Sequence, residues 1–151
     1  MKEQPAKRID IVRVKLVKES SVLYRNRRIS SPSDAYELGK EFMEDLDREH
    51  FVVVSLNTKN EPTCINTCHI GNINSSIVSV REVFKTAILS NSTSIMCFHN
   101  HPSGDPEPSR EDVEVTKRLR EAGKIIGIDL LDHLIIGDGR YISLKEKGYL
   151  S

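Results

Sequence analysis

No stretch of this chain approaches the ~20 consecutive apolar residues that a membrane-crossing helix needs, and the N-terminus lacks the apolar core of a secretion signal. Neither sign of charge is in excess, since 22 Lys and Arg face 22 Asp and Glu. A domain that grips nucleic acid electrostatically is usually basic on at least one face. The balance argues against that class, and the short basic patch Arg25-Asn26-Arg27-Arg28 reads as a solvated turn. Cysteine is sparse: Cys64, Cys68 and Cys97 are the only three. An odd number without repeated spacing excludes a disulfide framework. Cys64-x3-Cys68-His69 does not make a metal site either. A rise of ~3.3 Å per residue sets the two thiols about 13 Å apart along a strand, too far for one zinc with Zn–S bonds near ~2.3 Å. The thiols are expected in or beside the core, and the chain in a soluble, reducing, cytoplasmic setting without membrane contact.

A length of 151 residues suits one domain that buries roughly two-thirds of its unfolded surface. Residues 1–8 read as a frayed tail and 9–151 as a single domain. In Ile9 to Val17, Val12, Val14 and Leu16 alternate with Arg13 and Lys15, which predicts a half-buried strand. Ser31-Pro32-Ser33-Asp34 opens a helix, with Ser31 as cap and Pro32 at the first helical position. Ala35, Leu38, Phe42, Met43 and Leu46 form its buried stripe, and its end is expected near Arg48. Phe51 to Leu56 is a continuous apolar strand, buried on both faces. Thr63 to Ile70 pairs back onto it. Ser79 to Glu82 has the pattern of a capping box, opening a helix that buries Val83, Phe84, Ala87 and Ile88. Ser94 to Phe98 is a strand. Glu111 to Ala122 is a helix with Val113, Thr116, Leu119 and Ala122 inside and Gly123 as its stop. Ile125–Leu131, Leu134–Ile136 and Tyr141–Leu144 are the last strands. The mixture indicates an α/β or α+β layered fold.

The richest stretch is Phe98 to Asp112, which reads H-x-H-x7-S-x2-D. Alternation along an extended segment points His99 and His101 to the same side. Asp112 arrives on the first turn of a helix that can fold back over them. Two imidazoles and one carboxylate, with a fourth position left for water, is the donor set of a catalytic zinc site; structural zinc is fully enclosed by protein. The same donors also suit iron, cobalt and nickel. Asp112 equally suits a helix terminus, and the two roles are compatible. Three prolines and Gly104 stiffen the intervening loop. Asp105 and Glu107 on it read as a solvent rim, because the span from His101 to Asp105 is short for closing on one ion.

This segment resembles the JAMM signature of the MPN-domain metallohydrolases at every defined position. HNHPSGDPEPSREDVEVTKRLREAG and the later LLDHLIIGDGRYISL are similar to the RadC branch of that superfamily. The resemblance runs from about Ile9 to Leu150. It implies the MPN fold, a curved mixed β-sheet flanked by helices and similar to cytidine deaminases. It implies one zinc per chain on His99, His101 and Asp112. It places a general base on Glu49, just before the first apolar strand, with Glu44 as a weaker substitute. Ser109 matches the family's serine, which donates to an oxyanion; capping the helix is its other reading. Ser103 and Gly104 shape the loop. His133 reads as a core histidine or as a partner of a ligand, while His50 and His69 read as non-ligands.

The implied activity is amide hydrolysis of the peptidase or isopeptidase type on an unspecified peptide or protein. The alternative from a different class is a DNA-repair-associated accessory module, working with DNA or repair proteins and keeping its zinc with little catalysis. Longer members carry a helix-hairpin-helix region ahead of this domain. Only eight residues precede the first expected strand here, so that region is expected to be absent.

Overall fold

The computed structural model describes residues 3–43 and 45–150. The two central strands, β1 (His50–Leu56) and β3 (Ser94–Asn100), are apolar for most of their length, and all but His50 of their residues are buried. A strand buried on both sides needs a layer on each side. Helix α1 (Pro32–Met43) covers one face of the sheet. Its Ala35, Leu38 and Met43 pack against Val52, Val54, Met96 and Phe98. Helices α2 (Val80–Leu89) and α3 (Arg110–Ile126) cover the other face. There Val83, Phe84, Ala87, Val115 and Leu119 enclose Phe51, Val53, Ile95 and Cys97.

With β2 (Pro62–Ile70), β4 (Asp129–Ile136) and β5 (Tyr141–Ser143), the sheet has the order β2-β1-β3-β4-β5. Only β3 and β4 run parallel, and α3 is the crossover between them. This is the expected mixed α/β sheet flanked by helices. The hairpin from β1 to β2 forms as expected, and Ser31 Oγ caps α1 by accepting from the Asp34 N–H at 3.2 Å.

Several expectations fail, each for a physical reason. Ile9–Val17 forms no strand; Val12 and Val14 are 78% and 69% exposed. The alternating pattern is present, but no other described segment pairs with it. α1 ends at Met43, short of Arg48, and Asp45 takes a left-handed φ of 59°. Ser79 precedes α2 without making a side-chain cap, and Ile88 faces solvent. α3 passes straight through Gly123 and stops at Gly127, whose φ is 86°. Gly123 is a close approach instead, because a Cβ there would collide with the Ile128 carbonyl. Ile125 and Ile126 are therefore helical. Asp132 and His133, left between two expected strands, lie within β4. The inner face of α3 is Asp112, Val115, Thr116, Leu119 and Gly123, with Val113 and Ala122 only half-buried. No helix among the described residues is long and apolar enough to cross a membrane.

Candidate metal centre

β3 runs two residues further than its apolar pattern, so His99 and Asn100 still belong to the sheet. His99 follows Ile95 and Cys97 onto the face covered by α3. The His101 N–H donates to the Ile136 carbonyl at 2.9 Å, which carries the extended run one residue past the strand. The two imidazoles meet edge to face, with ring centroids 4.9 Å apart. Beyond them the loop turns back. The Gly104 N–H donates to the His101 carbonyl, and the Asp138 N–H donates to the Gly104 carbonyl, both at 2.9 Å. Gly104 has φ 91°, and a Cβ there would sit 3.1 Å from Asp138 Cβ, so glycine is needed on two counts.

Asp112 enters from the first turn of α3 through a reciprocal cap. Its N–H donates to Ser109 Oγ at 3.1 Å, and the Ser109 N–H donates to Asp112 Oδ2 at 2.8 Å. Asp112 Oδ1 lies 3.3 Å from His99 Nδ1, and Oδ2 lies 3.2 Å from His101 Nε2. Burial alone would raise its pKa; contacts from the His101 and His99 rings and the Ser109 N–H outweigh that and hold it well below the usual carboxylate range. The same contact, from Asp112, raises His101 against the opposing effect of burial. Glu49 comes from the segment between α1 and β1. Its Oε2 lies 3.5 Å from His99 Nε2.

These donors fit a cation. His101 Nδ1 lies 2.8 Å from the Asp105 carbonyl. A carbonyl only accepts, so Nδ1 carries the proton, and the neutral ring turns a bare Nε2 lone pair toward Asp112. Two lone pairs 3.2 Å apart require a proton or a metal between them. Neighbouring ligands on a tetrahedral zinc, with bonds of ~2.0–2.1 Å, stand about 3.3 Å apart. His99 is fully buried, and neither of its ring nitrogens has a hydrogen-bond partner. Such orphaned nitrogens are costly unless something else satisfies them. Glu49, His99 and His101 can offer donor atoms that all lie within 4.8 Å of one another. The four side chains thus form one cluster with a candidate Glu-His-His metal triad at its core.

Residues 29–149 match the family model described as the RadC-like JAB domain. The chain belongs to that family. This RadC-like chain is 60% identical over 123 residues to UPF0758 protein ABC2615 of Shouchella clausii, covering 82% of this chain and 54% of that protein. It is 62% identical over 124 residues to UPF0758 protein TTE0897 of Caldanaerobacter subterraneus, covering 82% and 53%. With UPF0758 protein YsxA of Bacillus subtilis it shares 59% identity over 122 residues, covering 81% and 53%. It spans about half the length of the curated relatives it matches.

The remaining polar candidates of the RadC-like domain differ in place and role. Ser109 caps α3 through its oxygen, a use that leaves its hydroxyl hydrogen available. Asp105 and Glu107 are exposed, and the Glu107 N–H donates to Asp105 Oδ1 at 3.1 Å, so they shape the loop rim. His69 Nε2 contacts the Asn72 carbonyl at 3.2 Å, away from the cluster. Cys64 and Cys68 are half-buried and Cys97 buried; burial pushes the Cys68 thiol up to about 12. Glu44 lies outside the described residues.

His133 is wholly buried, and its Nδ1 lies 2.6 Å from Thr116 Oγ1, which itself donates to the Asp112 carbonyl at 2.7 Å. It is a core histidine that braces the helical turn carrying Asp112. From the sequence, Thr116 reads only as part of the inner face of α3, with no hint of this link. Burial depresses the His133 pKa from 6.5 to about 3, so on acidification the unfolded chain takes up a proton that the folded one refuses. His101 is raised, so its contribution is fully present below 6.5 and lost above it. Between pH 6.5 and about 5 only the His133 slope remains of these two. Metal-free protein is expected to lose stability on acidification there, with a slope that grows from about half of the one-proton limit at pH 6.5 toward about 1.4 kcal/mol per pH unit near pH 5. Urea unfolding across that window, compared with His133→Gln, checks this; an unchanged slope in the variant counts against it.

Proposed function

We propose that this chain is a zinc-dependent hydrolase of amide bonds acting on a peptide or protein. The observation that carries the reading is the pair of imidazoles, His99 buried and His101 half-buried, whose unpartnered or unprotonated nitrogens face two carboxylates at 3.2–3.5 Å. His99, His101 and Asp112 would hold the metal. When bound, zinc supplies a water of pKa about 7 and polarisation of the scissile carbonyl.

The chain's own residues do the rest. Asp105 fixes the His101 tautomer through its backbone carbonyl, and the α3 cap aims the Asp112 carboxylate. Glu49 is partly exposed, its side chain 23% accessible, so it can reach both the centre and a substrate. It accepts the proton of the attacking water and returns it to the leaving amine. Ser109 donates its free hydroxyl hydrogen to the developing oxyanion, a contact of the kind that contributes ~2.7–4 kcal/mol in other hydrolases.

The test is metal analysis joined to a peptide-library cleavage assay. About one zinc per chain is expected. Cleavage should vanish with chelator and return with added zinc. A zinc-loaded protein that cleaves no member of the library, or cleavage indifferent to chelator, overturns the reading.

A further inference from the structure

We propose that Asn100 is the positioning residue that sets Glu49 against the metal centre. The proposal rests on the reading of Glu49 given above. Asn100 stands between the two histidines of the motif, and strand alternation turns its side chain to the opposite side of β3 from theirs. It is buried, at 4% exposure, and its carboxamide is used at both ends. Nδ2 donates to the Arg48 carbonyl at 3.0 Å, and Oδ1 accepts from the His50 N–H at 2.7 Å. Those two backbone groups flank Glu49. The Glu49 carbonyl in turn accepts from the Gly71 N–H at 2.7 Å. The backbone that carries the Glu49 side chain is therefore fixed on both sides by one amide and from below by a third bond.

The local geometry explains why a side chain is needed. The antiparallel ladder between β1 and β3 ends at the pair Phe51–His99. Asn100 would be opposite His50, and its carboxamide replaces the next step of that ladder. Before His50 the chain leaves α1 through Asp45 at a left-handed φ, without strand or helix bonds to hold it. Only a group with a donor and an acceptor fits a carbonyl and an N–H two residues apart. An aspartate would set a second acceptor against the Arg48 carbonyl. Because Asn100 lies on the same strand as His99 and His101, the clamp ties the proposed base to the ligand strand across 50 residues of sequence.

The experiment uses the full chain as wild type, Asn100→Ala, Asn100→Asp, Glu49→Gln and the double variant Asn100→Ala/Glu49→Gln. Amide exchange is followed on the peptide containing His50, and zinc affinity by competition with a chromophoric chelator. Asn100→Ala should speed His50 exchange at least tenfold while amides in the middle of β1 stay protected. Removing or misplacing a carboxylate beside the ion weakens binding, by on the order of tenfold for partners that touch the ligands. Asn100→Ala and Glu49→Gln should each do so, and Asn100→Ala should add less than about twofold once Glu49 is already Gln. Asn100→Asp keeps the volume and the acceptor for the His50 N–H but sets a buried acceptor against the Arg48 carbonyl, so it should weaken zinc binding at least as far as alanine without leaving a void, which keeps the test open if the alanine variant folds poorly. Additive losses would mean that Asn100 acts through the histidines, and unchanged affinity with fast His50 exchange would mean that the clamp does not reach the site; either overturns the proposal. If Glu49→Gln alone changes neither affinity nor cleavage, the reading of Glu49 fails and takes this one with it.

Discussion

Alanine at His99 is expected to leave a folded protein that no longer retains zinc. His99 is the most enclosed member of the cluster, with one ring nitrogen 3.3 Å from Asp112 and the other 3.5 Å from Glu49. Zinc binding at four-ligand sites is worth about 10–16 kcal/mol, so one ligand carries roughly 3–4 kcal/mol, and its removal weakens affinity between about a hundredfold and a thousandfold. Metal content after gel filtration should fall from about one per chain to near zero, and added zinc should no longer raise the melting temperature. Retention of full occupancy would remove His99 from the ligand set. Asp112→Asn makes the parallel case. An asparagine oxygen still accepts from the Ser109 N–H, so α3 keeps its cap while the site loses its charge. Asp112→Ala loses both, and only there should metal loss come with a clear fall in metal-free stability.

Glutamine at Glu49 is expected to separate binding from chemistry. The substitution keeps shape and removes the proton acceptor, and general-base catalysis is typically worth about 10²–10⁴-fold. The rate constant for cleavage should drop by that factor at saturating zinc, with one metal still bound per chain. The accompanying loss of affinity, on the order of tenfold, is overcome by loading the protein with excess metal. A variant that keeps zinc and full activity moves the base elsewhere in the cluster.

What could be read from the sequence was the part that repeats or sits close together. His99, His101 and Asp112 announce themselves by spacing within one segment, and the inner strands β1 and β3 by unbroken apolar runs. The family resemblance supplied Glu49, which no spacing marks, and the structure sets it beside His99. The roles of Asn100 and Thr116 were out of reach. Each works through one hydrogen bond or two to backbone or a buried ring distant in sequence, and such contacts leave no period behind. Two glycines in α3 show the opposite difficulty. Gly123 and Gly127 look alike as stop signals, but one makes room for the Ile128 carbonyl and the other turns the chain left-handed. The stretch Ile9–Val17 has the alternation of a strand, yet alternation describes a ribbon's two sides and says nothing about whether a neighbour exists to pair with it.

β3 is walled in by α1 on one side and by α2 and α3 on the other, and neighbouring positions along it belong to different walls. Substitutions there can be absorbed one side chain at a time. Gaining or losing a single residue between Ser94 and His99 cannot, because every position beyond the change would swap sides. The imidazole of His99 would be driven among the greasy residues under α1 and the Asn100 amide would turn to the chamber it left. The spacing of this strand is thus as much a part of the catalytic proposal as its chemistry, and drift in this lineage should be tolerated in letters but not in length.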